Sequence, residues 1–465
     1  MVFSSLTFLY AYLPIVLVVY FTVPTRFRNL VLFLVSLFFY GWGEPVYVLL
    51  MLFSICFNFL FGRQIAKYRD SNRDKAKQYL ILDIVLNIGI LSFFKYYDFL
   101  IMNLNGIGLS FLKPLNLELP IGISFYTFQT MSYPIDLYRH DTDPQKKFIN
   151  FGAYVTMFPQ LIAGPIVRYR DIADMLDNRR ENTAQFASGV SRFTVGLCKK
   201  VLLANSAGTV WKFVTALAPS QTSTVTSWLG ILFYAFQIYF DFSGYSDMAI
   251  GLGRMFGFEF LENFNYPYIS QSITDFWRRW HMSLSYWFRD YVYIPLGGNR
   301  KGLQRQILNI MIVWLLTGFW HGASWNFVLW GVFYGIVLII EKVFLLKYLS
   351  KAPAWVCHIY TMFLVLLAWV LFAFTDLSEA VQYFGMLFGS TGSFFNQTAL
   401  FILRDHGALL LLCIIASTPI AKTKWNLFRH TKMQYVQPAV IACAILLCTA
   451  FIVDATYNPF LYFRF

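Results

Sequence analysis

The residues in this chain best suited to chemistry lie between Thr274 and Asn326, where it reads TDFWRRWHMSLSYWFRDYVYIPLGGNRKGLQRQILNIMIVWLLTGFWHGASWN. His321 sits inside the apolar run VWLLTGFWHGASWNFVLWGV. An imidazole titrates near ~6.5 and, in an apolar pocket, tends to be neutral and basic. A neutral imidazole can take the proton of a hydroxyl as that hydroxyl attacks an acyl carbonyl, a contribution of ~10²–10⁴-fold in rate. Gly318 and Gly322 allow backbone to approach closely on either side of it. The same pattern also suits a core histidine bonded to a carbonyl of a neighbouring helix.

His281 falls in FWRRWHMSLSYWFRD. Arginines and tryptophans mixed at this density read as an interfacial helix, with aromatics at headgroup depth and arginines toward phosphate. The functional alternative is a second polar group that orients the acyl group or its acceptor. Arg278, Arg279, Arg300, Lys301 and Arg305 could hold the phosphates of a nucleotide-bearing acyl donor. Arg278 and Arg279, with Asn326 beyond the second histidine, are the positions expected to bind or place the donor. LGGNRKG is not a phosphate-loop motif. Asp241 and Asp247, in QIYFDFSGYSDMAIGLGRM, are buried carboxylate candidates that need a cation such as Arg254. Asp136 and Asp241 read as members of structural ion pairs. The remaining histidines (140, 358, 406 and 430) lie near loops or span ends. No Gly-x-Ser-x-Gly elbow occurs, the histidines have no metal-ligand spacing, and the six cysteines form no CxxC pair. The terminus, NPFLYFRF, places the hydroxyl of Tyr462 where a chain end can fold back into a cavity; interfacial anchoring of its aromatics is the simpler reading.

The elements that hold these residues are membrane helices. Of 465 residues 58% are hydrophobic, 20% aromatic and 13% charged, against roughly 25% charged in an average soluble domain. The net charge of +13 fits basic cytoplasmic loops and anionic headgroups; with no basic polar domain to carry it, nucleic-acid binding is not indicated. Apolar spans are expected near 6–23, 30–41, 46–61, 80–94, 307–320, 324–346, 355–374, 407–420 and 436–453. The first reads as a retained span. Arg26 and Arg28, and the basic stretch 63–78, put the N-terminus outside and 63–78 inside. LPIGISFYTFQTMSYPIDLYRH and FGAYVTMFPQLIAGPIVRYRD carry Gly and Pro breaks that suit either kinked or re-entrant helices. A polar, basic segment at 166–200 is expected to lie amphipathically along the membrane surface. If 342–351 and 422–432 are cytoplasmic ends, the tail is outside. The fold class is therefore all-α and multi-spanning, about ten to twelve helices with some incomplete, in a single domain over 1–465 with an aromatic tail at 455–465.

Three long runs resemble one known family: QIYFDFSGYSDMAIGLG, ENFNYPYISQSITDFWRRWHMSLSYWFRDYVYIPLGGNRKG and WLLTGFWHGASWNFVLWG. They are similar to the membrane-bound O-acyltransferases, in the alginate and peptidoglycan O-acetyltransferase branch. The opening MVFSSLTFLY and the two Gly/Pro-broken segments match that branch too. The resemblance implies a ring of transmembrane and re-entrant helices around a central funnel in a bacterial cell membrane. It implies that His321 is the active-site histidine and that His281 is a second, less uniform polar position. It further implies a cytoplasmic acyl donor, acetyl-CoA, with no bound cofactor, and an extracytoplasmic partner of the SGNH-hydrolase type that completes transfer to a polysaccharide. The tail resembles a tyrosine-bearing aromatic terminus, which makes Tyr462 a candidate acyl carrier. D-alanyl transfer to teichoic acid is the alternative within the family. A transporter or channel using the same intramembrane charges is the alternative of another class.

Overall fold

A computed structural model of the chain describes residues 1–109, 112–429, 435–454 and 460–461. The described residues are helices and connections, with no β-strand. Six helices among them are long and apolar enough to cross a bilayer: Tyr47–Tyr68, Arg73–Gly106, Trp325–Leu349, Ala354–Ala373, Gln397–Ala416 and Gln437–Asp454. With 18 to 34 residues, each is long enough for a hydrocarbon core of ~30 Å, which takes ~17–25. Other expected spans fold as helices too, including Leu13–Thr22, Arg28–Gly41 and Leu303–His321. The chain packs as two compact units, one built from Met1–Phe193 with Tyr245–Leu261, the other from Thr194–Gly244 with Glu262–Leu461.

In the first unit the basic stretch 63–78 is not a loop. Helix Tyr47–Tyr68 runs on through its first residues, and after a turn at 69–72 the Asn72 side chain accepts from the Lys75 N–H at 3.0 Å and starts helix Arg73–Gly106. That is an N-cap, which satisfies one of the orphan donors of a first turn. The 34-residue helix it starts is about 50 Å long at 1.5 Å per residue. It outruns the apolar span read at 80–94 because its polar ends continue helical beyond the apolar part. Of the two Gly/Pro-broken segments, the first forms one helix, Ile123–Arg139, with Pro134 inside it. Its Ser124, Thr127, Gln129, Thr130, Ser132 and Asp136 are buried along with its apolar residues, as befits a helix surrounded by protein. The second breaks at Met157: Phe148–Thr156 and Phe158–Leu161 are separate short helices. Nine residues reach only about 14 Å, less than a crossing. Helix Tyr169–Asn178 buries Tyr169, Ile172 and Leu176 at helical spacing, the expected amphipathic pattern. The carboxylates find partners other than Arg254: Asp247 lies 2.6 Å from Arg192, and Arg254 donates to Ser188 Oγ at 3.1 Å.

The second unit holds the histidines. Helix Leu303–His321 turns at 322–324 and returns as Trp325–Ile340. Glycines set the closeness of this hairpin. A Cβ on Gly318 would sit 2.4 Å from the Phe327 carbonyl oxygen, and one on Gly331 would sit 2.4 Å from the Trp314 carbonyl oxygen, distances that no side chain tolerates.

Candidate functional site

His321 is the last residue of helix Leu303–His321 and is 3% exposed. Its ring stands against Trp330 at 5.0 Å between centroids, Phe372 at 5.3 Å and the neighbouring Trp320 at 5.0 Å. Trp330 comes from the returning helix and Phe372 from helix Ala354–Ala373. The tip of the hairpin is tied to that third helix by Asn326, fully buried, whose Nδ2 donates to the Leu371 carbonyl at 3.1 Å. Asn326 therefore stands in the wall beside the imidazole, one helix turn from Trp330 on the same helix.

His281 occupies the break between two short helices, Ile273–Arg279 and Met282–Phe288, with φ 45° and ψ 54°. A left-handed conformation is uncommon outside glycine and costs of order 1–3 kcal/mol, so surrounding bonds must enforce it. Asn263 does so. Its carbonyl oxygen accepts from the Met282 N–H at 3.0 Å. Its side-chain Oδ1 accepts from the Ser283 N–H at 3.2 Å and the Ser283 hydroxyl at 2.9 Å, and stands 3.1 Å from His281 Nδ1. A backbone N–H can only donate, so the Asn263 atom it meets is the acceptor oxygen. His281 Nδ1 must then carry the proton, and Nε2 carries none in the neutral ring. His281 lies outside the apolar spans; burial pushes its pKa down to about 3, so the neutral form prevails at ordinary pH.

The short helix before His281 is held by a carboxylate. Glu341, fully buried at the end of the returning helix, accepts from the Ile273 N–H at 2.7 Å, the Thr274 N–H at 2.8 Å, the Thr274 hydroxyl at 2.6 Å and the Tyr360 hydroxyl at 3.2 Å. An anion on first-turn N–H groups complements the positive end of a helix. The helix that carries the wall of the His321 pocket thereby also fixes the segment that carries His281.

The two histidines meet across one indole. The Trp320 centroid lies 5.8 Å from His281 and 5.0 Å from His321. An interfacial platform does not describe His281, which is 1% exposed. The backbone break turns its ring inward while Arg278, three residues earlier on the helix, is exposed. Next to this pair Trp277, Trp330 and Tyr334 touch one another at 5.0–5.6 Å. Trp277 Nε1, Trp330 Nε1 and the Tyr334 hydroxyl are buried there with no hydrogen-bond partner among the described residues. Buried donors without acceptors are rare in folded proteins.

The basic cluster does not converge as a unit. Arg279 pairs with Asp275 at 3.0 Å, Arg289 with Asp290 at 2.7 Å, and Arg305 donates to the Leu296 carbonyl at 3.1 Å. Arg278, Arg300 and Lys301 are exposed. Tyr462 lies outside the described residues. The two described tail residues, Phe460 and Leu461, lie in the same unit as the histidines, and Phe460 is 3% exposed. Asn263, Glu341 and Trp320 escaped the sequence reading. Glu341 had a signal, a carboxylate closing the apolar run WNFVLWGVFYGIVLII, but beside Lys342 it reads as a solvated span end.

Comparison with known proteins covers the same ground. The model of MBOAT, the membrane-bound O-acyltransferase family, matches residues 141–378, which include both histidines. A probable alginate O-acetylase AlgI of Azotobacter vinelandii is 42% identical over 423 residues, 90% of this chain and 84% of that protein. A peptidoglycan O-acetyltransferase of Helicobacter pylori is 32% identical across 100% of this chain and 98% of its own length. A teichoic acid D-alanyltransferase of Bacillus subtilis is 27% identical over half of this chain. With its apolar helices, its buried histidines and these matches across nearly its whole length, the chain belongs to the membrane-bound O-acyltransferase family and is a multi-pass membrane acyltransferase.

Proposed function

We propose that the protein moves an acetyl group from cytoplasmic acetyl-CoA through the membrane for O-acetylation of a cell-envelope or secreted polysaccharide, with residues 1–465 acting as one acyltransferase domain. The observation that carries this reading is the meeting of His321 and His281 across Trp320 inside an aromatic shell. In this reading His321 takes the proton of the accepting hydroxyl as its oxygen attacks the thioester carbonyl, and the proton leaves with the thiol. His281, held neutral with its proton on Nδ1, presents Nε2 as an acceptor that orients the hydroxyl. Trp277 Nε1, Trp330 Nε1 and the Tyr334 hydroxyl suit an uncharged carbonyl oxygen on which negative charge develops in the transition state. Arg278, with Arg300 and Lys301, remains free to meet donor phosphates. Arg279 acts through its pair with Asp275 and Asn326 through its tie to helix Ala354–Ala373. The names of the relatives, alginate O-acetylase and peptidoglycan O-acetyltransferase, support a glycan acceptor reached through an extracytoplasmic SGNH-type acyltransferase. Tyr462 is the proposed carrier that takes the acyl group from the donor and hands it to that partner.

The test is to supply sealed, inside-out membranes containing the protein with acetyl-labelled acetyl-CoA. Base-labile labelled acetate on the envelope glycan, and a labelled acetyl ester on the C-terminal peptide, are the expected results. Label transferred only from an activated D-alanine donor would replace the reading with teichoic acid D-alanylation.

A further inference from the structure

One buried ion pair in the second unit is unlike a simple structural tie, because half of its carboxylate is given to the chain end. Asp241 sits within the long helix Thr224–Met255 and is 2% exposed. Lys200, from the segment Lys199–Ala204, reaches it with Nζ 2.5 Å from Oδ1, the two side chains being 5% and 2% exposed. Gly244, almost one turn further along, is what lets the two elements close to this distance. A Cβ there would stand 2.8 Å from the Gly196 carbonyl oxygen and 3.1 Å from the Lys200 backbone nitrogen. Taking both charges out of water is costly, and a pair so buried contributes little net stability by itself.

The second oxygen of the same carboxylate faces the tail. Asp241 Oδ2 accepts the N–H of Leu461 at 2.8 Å. The preceding ring, Phe460, lies 6.0 Å from the Lys200 ammonium and 6.0 Å from the ring of Phe242, and Phe242 stands 4.7 Å from His281. One carboxylate is thus divided between a lysine that fixes its position and charge and a main-chain amide that it anchors. A charge-assisted bond of this kind is about twice as strong as a neutral one, and a backbone amide as the recognised group sets the register of the chain whatever side chain follows.

We propose that Lys200 and Asp241 form a latch that holds the C-terminal tail at Leu461, in one register, beside Phe242 in the wall of the histidine site. Both are positioning residues: they act through the tail and touch no reacting atom. The functional consequence rests on the reading of Tyr462 as acyl carrier, but the docking itself does not.

The test uses the full chain in lipid nanodiscs. Hydrogen exchange at the Leu461 amide, read by mass spectrometry on the C-terminal peptide, is compared between the unaltered protein and the neutral pair Lys200→Gln with Asp241→Asn. Peptides of helix Leu303–His321 report whether the fold is intact. Asp241→Glu, which keeps both charges and moves the carboxylate by one methylene, serves as a second variant should the neutral pair fail to fold. The latch predicts exchange at Leu461 at least ten-fold faster in either variant, with helix Leu303–His321 unchanged; the tyrosine relay adds that envelope O-acetylation, measured in cells carrying the same variants, falls at least ten-fold. Equal protection of Leu461 in the unaltered protein and the folded variants overturns the latch. Faster exchange with undiminished O-acetylation supports the latch and overturns the tyrosine relay on which its function rests.

Discussion

His281 combines two features that pull against each other: a left-handed backbone and an imidazole with burial on every side. Both are resolved by Asn263, whose Oδ1 serves Ser283 and the ring together. Asn263→Ala should therefore leave buried donors unsatisfied at about 1–3 kcal/mol each and lower turnover with less effect on the amount of protein reaching the membrane. Kinetics on purified protein, set beside its thermal unfolding, separate the two. The titration of His281 gives a second expectation. Free in an unfolded chain it binds a proton below about 6.5, whereas in the fold it does so only near 3. Between those values the unfolded state holds more protons, so stability rises with pH and is lost on acidification through that window. Unfolding temperatures measured in detergent from pH 7 to pH 4.5 should fall, and His281→Gln should flatten part of the fall. A slope unaltered by the substitution would show that the neutral imidazole is not held as described.

At the scale of elements, the site depends on one hairpin packed to backbone distance. Gly318→Val puts a branched side chain where Phe327 backbone already stands at 2.4 Å. Overpacking of that order costs typically ~1–3 kcal/mol or more, and the displaced helix carries Trp330 away from His321. Gly89→Ala is the control: nothing stands within 4 Å of its Cβ, so membrane yield and activity should be retained. Glu341→Gln removes acceptor capacity from the first turn of Ile273–Arg279 while leaving the rings around His321 in place. It should lower acyl transfer and loosen His281, seen as faster hydrogen exchange over 273–288; unchanged exchange there would mean that the carboxylate does not hold the segment. Much of this scale could be read beforehand. The apolar runs and the close approach at Gly318 follow from residue types and spacing, whereas they leave His321 open between a core histidine and a base, and only the family resemblance singles it out. The double role of Glu341 does not, because its partners at 273 and 274 are nearly seventy positions away in sequence. Likewise, only the fold separates arginines bound to neighbouring carboxylates, Arg279 and Arg289, from the exposed Arg278. Charge at 63–78 hides the helical residues on either side of the turn at 69–72, because charge marks where a helix leaves lipid and says nothing about where it ends.

For the whole molecule, the buried polar groups of the second unit gather in the unit that carries the proposed site. Most of the chain is apolar, yet the described helices bury Asp241 with Lys200, Glu341 with four donors, and His281 with Asn263, all in the unit that carries His321. Polar groups so fully buried are costly unless paired, and their clustering singles this unit out. The account rests on His321 being the base of the reaction. His321→Ala, expressed in cells from which the native chain has been deleted, is the most direct measurement. Base-released acetate per unit of envelope glycan is determined alongside the amount of the protein in the membrane. The account predicts normal membrane levels with O-acetylation lowered by at least ~10²-fold, the lower bound for loss of a general base. Normal levels with undiminished O-acetylation would contradict it.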